Sequence, residues 1–224
     1  MTAVKAVLFD CDGVLLDTEP PGCAALAQAL TEAGWPMKTE EARRIFSGKA
    51  ASDTLLWLEA AGLPAAAVFA RSDAILFDGF TRHIPLIDGI EAVLADFDLQ
   101  MAVCSNASKK RLDLSLCRTP LAARFGRHIW SADHVTNPKP APDLALHACR
   151  EFGIAPAQAL FIDDNYHGIH CAKAAGCVAV GFIAPSDSRP DHGKTLRDAG
   201  ADYVVHGMGE FHALLASLTF ASVE

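Results

Sequence analysis

No apolar stretch in the 224-residue chain approaches the roughly 18 to 20 uninterrupted residues that a membrane-spanning helix requires. The first residues also lack a basic segment followed by an apolar run and a cleavage site, so the sequence predicts a cytoplasmic protein. Seven cysteines, at positions 11, 23, 104, 117, 149, 171 and 177, form an odd set with no Cys-x-x-Cys pair. That pattern speaks against both a disulfide framework and a zinc ribbon, and most of these thiols are expected in the core as small apolar side chains. Positive charge is also in deficit: the formal net charge is −8, which disfavours nucleic acid and anionic membrane as main partners because both demand a basic surface. There is no low-complexity tract and no repeat at a solenoid period. What is present is a hydrophobic content of 51%, ample for one large globular domain or two modest ones. Oligomeric state is not legible at this level, and a monomer is plausible.

Short apolar runs at 6–9, 101–104, 128–131, 160–162 and 178–183, with a possible sixth at 203–205, read as strands covered on both faces. Helical patterns at 90–96, 109–115, 142–152 and 167–175 alternate with them, which predicts an α/β fold built on a doubly wound, Rossmann-like parallel sheet. Active residues then belong at the carboxyl ends of the strands, where Asp10, Ser105 and Asp163 fall. The stretch 18–83 breaks the alternation. It is rich in Ala, Leu and Glu, has no convincing strand, and is interrupted at Gly34-Trp35-Pro36, Ser47-Gly48 and Gly62-Leu63-Pro64, so it reads as an inserted module of four helices. The remaining segments, 1–17 and 84–224, form the expected α/β core.

Four places carry chemistry. Asp10 and Asp12 lie two residues apart at the end of an apolar run and before Gly13, so in an extended strand both face one side and can share a metal ion or a reacting group. The plainer alternative is a pair of turn-capping aspartates. Ser105-Asn106 follows the second strand, where a hydroxyl can donate to an anion or simply cap a helix. Lys139 sits in Asn137-Pro138-Lys139-Pro140-Ala141-Pro142, whose alternating prolines restrict the backbone around it and aim a side chain that would otherwise be solvated. Asp163-Asp164 ends a buried strand and offers oxygen ligands of the kind Mg²⁺ takes, or else a turn. His167 and His170 are three apart, but no third ligand is spaced nearby and the oxygen-rich setting fits magnesium better than a transition metal.

The segment from Val7 to Thr18 resembles the first motif of the haloacid dehalogenase superfamily, F-D-x-D-G-x-L-x-D-T/S, and Ser105, Lys139-Pro140-Ala141-Pro142 and Asp163-Asp164 resemble the other three in order. The resemblance spans Val4 to about Ala184. It implies that Asp10 is a nucleophile and Asp12 a general acid/base, with Ser105 and Lys139 stabilising the transferring phosphoryl group. Mg²⁺ is the implied cofactor, held by Asp10, Asp12 and Asp164, with Asp163 a second ligand or the holder of a coordinated water. The inserted module is implied to be a mobile cap that closes over the site and helps choose the substrate. Asn106, Gly48 and Lys49 are implied substrate contacts, and Arg71, Arg82 and His83 are further basic candidates in the module.

Within the superfamily the chain is similar to the branch of sugar-phosphate phosphatases and β-phosphoglucomutase-like proteins. The implied activity is Mg²⁺-dependent hydrolysis of a small phosphate ester, a sugar phosphate by expectation, through an aspartyl-phosphate. A phosphomutase is the nearest rival, weakened because Gly22 and Ala51 stand where the mutases usually carry His and Arg. A non-enzymatic phospho-acceptor of the receiver type shares the residue types but not their order along the chain.

Overall fold

The computed structural model describes residues 3–47 and 51–220. Gly48 and Lys49, two expected substrate contacts, lie outside the described residues. The chain divides into two units: Met1–Leu16, Leu86–Pro185 and Asp191–Glu224 make the first, and Asp17–Pro85 with Ser186–Pro190 the second.

Six parallel strands form the sheet of the first unit: β1 (Ala6–Phe9), β2 (Gln100–Cys104), β3 (Ile129–Trp130), β4 (Ala159–Asp163), β5 (Val178–Ile183) and β6 (Tyr203–His206), in the order β3-β2-β1-β4-β5-β6. The expected doubly wound α/β architecture is what the chain adopts. Leu8 packs on the cluster that includes Phe161, Ala145 and Ile169, while Phe9 meets Phe125 and Phe211 edge-to-face at 5.9 and 6.1 Å. Successive strand residues thus bury opposite faces, and β1 carries no polar residue before Asp10 because neither face meets water.

The order reverses between β1 and β4, which makes a crevice at their carboxyl ends. Register decides what meets there. Phe9 pairs with both Val103 and Ile162, so the next residues along, Asp10, Cys104 and Asp163, come abreast. The Asp10 N–H still donates to the Ile162 carbonyl at 3.0 Å, so the ladder holds Asp10 at its last rung.

The second unit contains four helices, as its sequence breaks predict: α1 (Glu19–Glu32), α2 (Thr39–Phe46), α3 (Ala51–Ala60) and α4 (Ala65–Phe80). Leu26, Leu30, Phe46, Leu58 and Val68 make its separate core, with Phe46 and Trp57 edge-to-face at 4.9 Å. The helices of the first unit are α5 (Ile90–Asp96), α6 (Lys109–Leu114), α7 (Ala122–Phe125), α8 (Asp143–Phe152), α9 (Tyr166–Ala175), α10 (His192–Asp198) and α11 (Gly207–Phe220). The sequence reading left the tail unassigned beyond the sixth strand, yet α11 completes the core through Met208, Phe211 and Leu215. Their spacing of three and four residues is the helical signal that was there to be read. Six of the seven cysteines are buried and Cys117 is exposed. Among the described residues no helix is long and apolar enough to cross a membrane.

One assignment changes. Ser186–Pro190 was expected in the α/β core, but it belongs to the helical unit. The Ser186 hydroxyl donates to Asp17 Oδ1 at 2.6 Å and its carbonyl accepts from Arg43 Nη2 at 2.8 Å. Near the same place the Asp17 N–H donates to the Pro85 carbonyl at 2.9 Å, joining the two ends of the insertion. Replacing Asp17 by Ala removes the charged acceptor of the Ser186 hydroxyl and is expected to cost about 1 to 2 kcal/mol. Urea unfolding of the Asp17→Ala, Ser186→Ala and double variants checks this. Additive losses would show that the pair contributes nothing.

Candidate active site

Lys139 is 6% exposed, and its Nζ donates to Asp10 Oδ1 at 2.7 Å and to Asp163 Oδ2 at 2.8 Å. Two carboxylates and one ammonium are therefore buried together, and the shortfall of positive charge is one unit before Asp164 is counted. Burial opposes charge on Lys139, but Asp10 and Asp163 outweigh it and hold the ammonium above its ordinary range. Burial likewise pushes the Asp10 carboxyl up to about 7 against the pull of Lys139, with the Asp163 charge adding to the rise. Asp163 is raised for the same first reason, burial, with Lys139 again opposing.

The lysine is aimed by its main chain. The Asn106 side chain donates from Nδ2 to the Lys139 carbonyl at 2.8 Å, and its Oδ1 accepts from the Lys139 N–H at 2.9 Å. Asn106, implied as a substrate contact, thus has its amide engaged on both sides by the loop that carries Lys139. The Lys139–Pro140 peptide is cis. Ser105, 2% exposed, stands at the end of β2 with its Oγ accepting the Ala107 N–H at 3.1 Å.

Asp163 uses both oxygens within the protein. Oδ2 takes Lys139, and Oδ1 accepts the Asn165 N–H at 2.8 Å. Asn165 then caps α9 by accepting the His167 N–H at 3.1 Å. Ligand atoms of Asp10, Asp163 and Asp164 lie within 4.8 Å of one another, the one candidate cation site among the described residues. Three carboxylates against a single lysine suit a hard divalent cation with oxygen ligands. Asp12 lies outside that cluster. Its carboxylate instead has Arg111 Nε at 3.8 Å from Oδ2, with both side chains about a third exposed.

Two glycines make room for this arrangement. A Cβ on Gly13, whose φ is +81°, would stand 2.6 Å from the Asp164 carboxylate. A Cβ on Gly168 would fall 1.7 Å from Asp163 Oδ2. Neither was singled out as a site residue from sequence, although each follows or lies within an acidic motif at a sharp change from strand to helix.

In the helical unit two of the basic candidates, Arg71 and Arg82, are paired. Arg71 donates to Glu32 at 2.6 Å and Arg82 to Asp78 at 3.0 Å, both pairs on exposed helix surface. Arg111, absent from the sequence candidates, is instead the basic residue beside Asp12. Its position in the first turn of the helix after Ser105 was the available signal.

The family model of haloacid dehalogenase-like hydrolases matches residues 7–182. The chain belongs to that family. It is 31% identical over 218 residues to the phosphoglycolate phosphatase of Thiobacillus denitrificans, which covers 92% of this chain and 93% of that one. To the N-acetylmuramic acid 6-phosphate phosphatase of Pseudomonas putida it is 31% identical over 214 residues, covering 90% and 92%. The crystal structure of a conserved haloacid dehalogenase-like protein of unknown function from Agrobacterium tumefaciens superposes with a TM-score of 0.85 at 36% identity, covering 96% of this chain and 99% of that one. This haloacid dehalogenase-like hydrolase accordingly is an enzyme, and Asp10 to Asp164 lie within the matched span.

Gly168→Ala is expected to drive Asp163 off Lys139, lowering stability by several kcal/mol, on the order of a broken buried ion pair, and abolishing activity. Gly22→Ala, on an open helical site with no atom within 4 Å of the new Cβ, is expected to stabilise by about 0.5 to 1 kcal/mol. Denaturant midpoints of the two variants check the contrast, and equal behaviour would refute it.

Because the folded-state pKa of Asp10 is raised, its contribution to stability is full below the unfolded value of 3.8 and is lost as pH rises through about 7. A divalent cation held by these carboxylates would replace the lost proton, so if the site takes Mg²⁺ the metal is expected to raise the thermal midpoint more at about pH 8 than at about pH 5.5. Thermal melts with and without Mg²⁺ measure this, and a shift independent of pH would contradict it.

Proposed function

We propose that the protein is a Mg²⁺-dependent phosphatase that hydrolyses a small phosphate monoester, of the sugar-phosphate or phosphorylated-acid kind, through an aspartyl-phosphate on Asp10. The observation that carries the reading is the buried Lys139 bridge between Asp10 and Asp163 at the crevice where the strand order reverses. A carboxylate nucleophile repels an anionic ester, and a fixed ammonium on that carboxylate removes much of the repulsion. The names of the two curated relatives point the same way, each being a phosphatase of a small phosphorylated acid.

Asp10 and Asp164 hold the cation in this reading, which would supply charge neutralisation for the phosphoryl oxygens. Asp163, with both oxygens engaged by Lys139 and Asn165, serves mainly to fix the lysine. In the first step an Asp10 oxygen attacks phosphorus while the bond to the alcohol oxygen breaks, and Asp12 gives that oxygen its proton. In the second step water attacks the same phosphorus, Asp12 takes a proton from it, and the Asp10–phosphorus bond breaks to restore the carboxylate. Ser105 donates its hydroxyl hydrogen to a phosphoryl oxygen, and Lys139 holds charge on another. Asp12 lies nearer to solvent than Asp10, as an acid/base that exchanges protons with alcohol and water requires.

Phosphate release from a panel of sugar phosphates and phosphorylated acids, with and without Mg²⁺, tests the proposal. The native chain is expected to turn over at least one ester only with the metal, and Asp10→Asn to lose at least about 10³-fold, the scale of removing a covalent nucleophile. Release that survives the substitution would remove Asp10 from its role. Silence on every ester, with conversion of β-glucose 1-phosphate in the presence of a bisphosphate, would replace the phosphatase by a mutase.

A further inference from the structure

Asp163 is fixed by Lys139 and the Asn165 N–H, whereas the main chain of Asp164 is held from a different element. His192, in the first turn of α10 and 8% exposed, places Nε2 at 2.7 Å from the Asp164 carbonyl oxygen. A carbonyl only accepts, so the imidazole donates from Nε2. Packing explains the reach. Gly181 of β5 pairs with Asp163 in the sheet, and a Cβ there would stand 2.9 Å from Leu196, so α10 lies directly against that rung. His192 precedes Leu196 by four residues and shares its helix face, which brings it to Asp164, one residue past Asp163. We infer that His192 is a positioning residue: its hydrogen bond holds the Asp164 main chain so that the Asp164 carboxylate is set for the divalent cation.

The inference rests on the reading that Asp164 holds the cation, and three features of the site support it. The first is how little latitude Asp164 has. Its carboxylate lies with those of Asp10 and Asp163 within 4.8 Å and against the space left by Gly13, so a rotation of its main chain carries it into Gly13 or away from Asp10. The second is the turn itself. Its other bonds run from the Asn165 N–H to Asp163 Oδ1 and from the His167 N–H to Asn165 Oδ1, and neither engages the Asp164 carbonyl that His192 takes. The third is the fixed start of α10. Asp191 has φ +52°, the one non-glycine among the described residues with a left-handed backbone, and its carbonyl accepts the Lys194 and Thr195 N–H groups at 2.9 and 3.1 Å. A costly backbone of this kind persists where the surroundings over-determine it, and here it sets the residue just before His192. Carboxylates that hold a metal are oriented by hydrogen-bonded neighbours, and loss of such a neighbour commonly weakens the metal by about 10- to 100-fold.

Calorimetry with Mg²⁺ alone, on the native chain, His192→Phe and His192→Gln, tests it. Phe keeps a ring without a donor, whereas the Gln amide offers an Nε2–H at a similar reach. His192→Phe is expected to weaken Mg²⁺ binding about 10-fold, and His192→Gln to recover most of that loss. Turnover gives a second readout. On an ester that the native enzyme hydrolyses, His192→Phe is expected to regain activity as Mg²⁺ is raised, with KM for the ester unchanged, whereas a loss of folded protein would persist at every metal concentration. Native Mg²⁺ affinity in His192→Phe, or equal weakening in both variants, would overturn the inference. Asp164→Asn separates out the reading beneath it: Mg²⁺ binding that survives this substitution, or that the native chain does not show, removes Asp164 from the cation site. Amide exchange in the metal-free protein then still decides whether His192 holds the turn. Faster exchange at Asn165 and His167 in His192→Phe, restored in His192→Gln, is the expected result, and unchanged exchange would count against His192.

Discussion

The Lys139 ammonium between Asp10 and Asp163 is the interaction on which the rest of the crevice depends. Removing one partner of such a buried pair typically costs about 3 to 5 kcal/mol, because the remaining charges lose their compensation while staying out of water. The pair is not a source of stability for its own sake. Two acids and one base in an apolar setting leave a negative remainder, a charge balance that suits a cation, and burial raises the Asp10 carboxyl. Stability and chemistry are here two readings of the same charge imbalance.

Much of the surrounding structure is arranged to hold that triad still. The β1–β4 register sets Asp10 abreast of Asp163, and the Asn106 amide grips both main-chain polar groups of Lys139. Asn165 closes the opposite side by donating to Asp163 and capping α9. Gly168 matters for what it omits, since any side chain there would occupy the space of the Asp163 carboxylate. Each of these residues acts through a neighbour. A change at any of them reaches Asp10 by moving Lys139 or Asp163, and for that reason the arrangement can fail through residues outside the triad.

The helical unit follows a different logic. It has its own core around Leu30, Phe46 and Leu58, and its cations Arg71 and Arg82 are spent on helix-surface acids. Its linkers are joined by the Asp17–Pro85 hydrogen bond, and it recruits Ser186–Pro190 from beyond β5 through polar contacts of Asp17 and Arg43. Long-range recruitment of this kind leaves no periodic trace in a sequence.

The alternation of short apolar runs with helical periods was enough to place all six strands within two residues and to separate the four-helix insertion. Burial on both faces and helical amphipathicity are local in sequence, so both the layer order and the strand ends holding Asp10, Ser105 and Asp163 could be read directly. The motif spacing also singled out Lys139, because prolines restrict a backbone whatever it packs against. Tertiary structure alone decided how these residues meet: that Asp163 turns to Lys139, that Asn106 holds the lysine loop, and that Arg111 rather than Arg71 or Arg82 stands beside an acid of the first motif. It also decided that Ser186–Pro190 leaves the α/β unit. The physical reason is common to all four. Charge pairing and hydrogen bonding act between atoms a few ångströms apart in space but 24 to 169 residues apart along the chain, and no local propensity encodes such a distance.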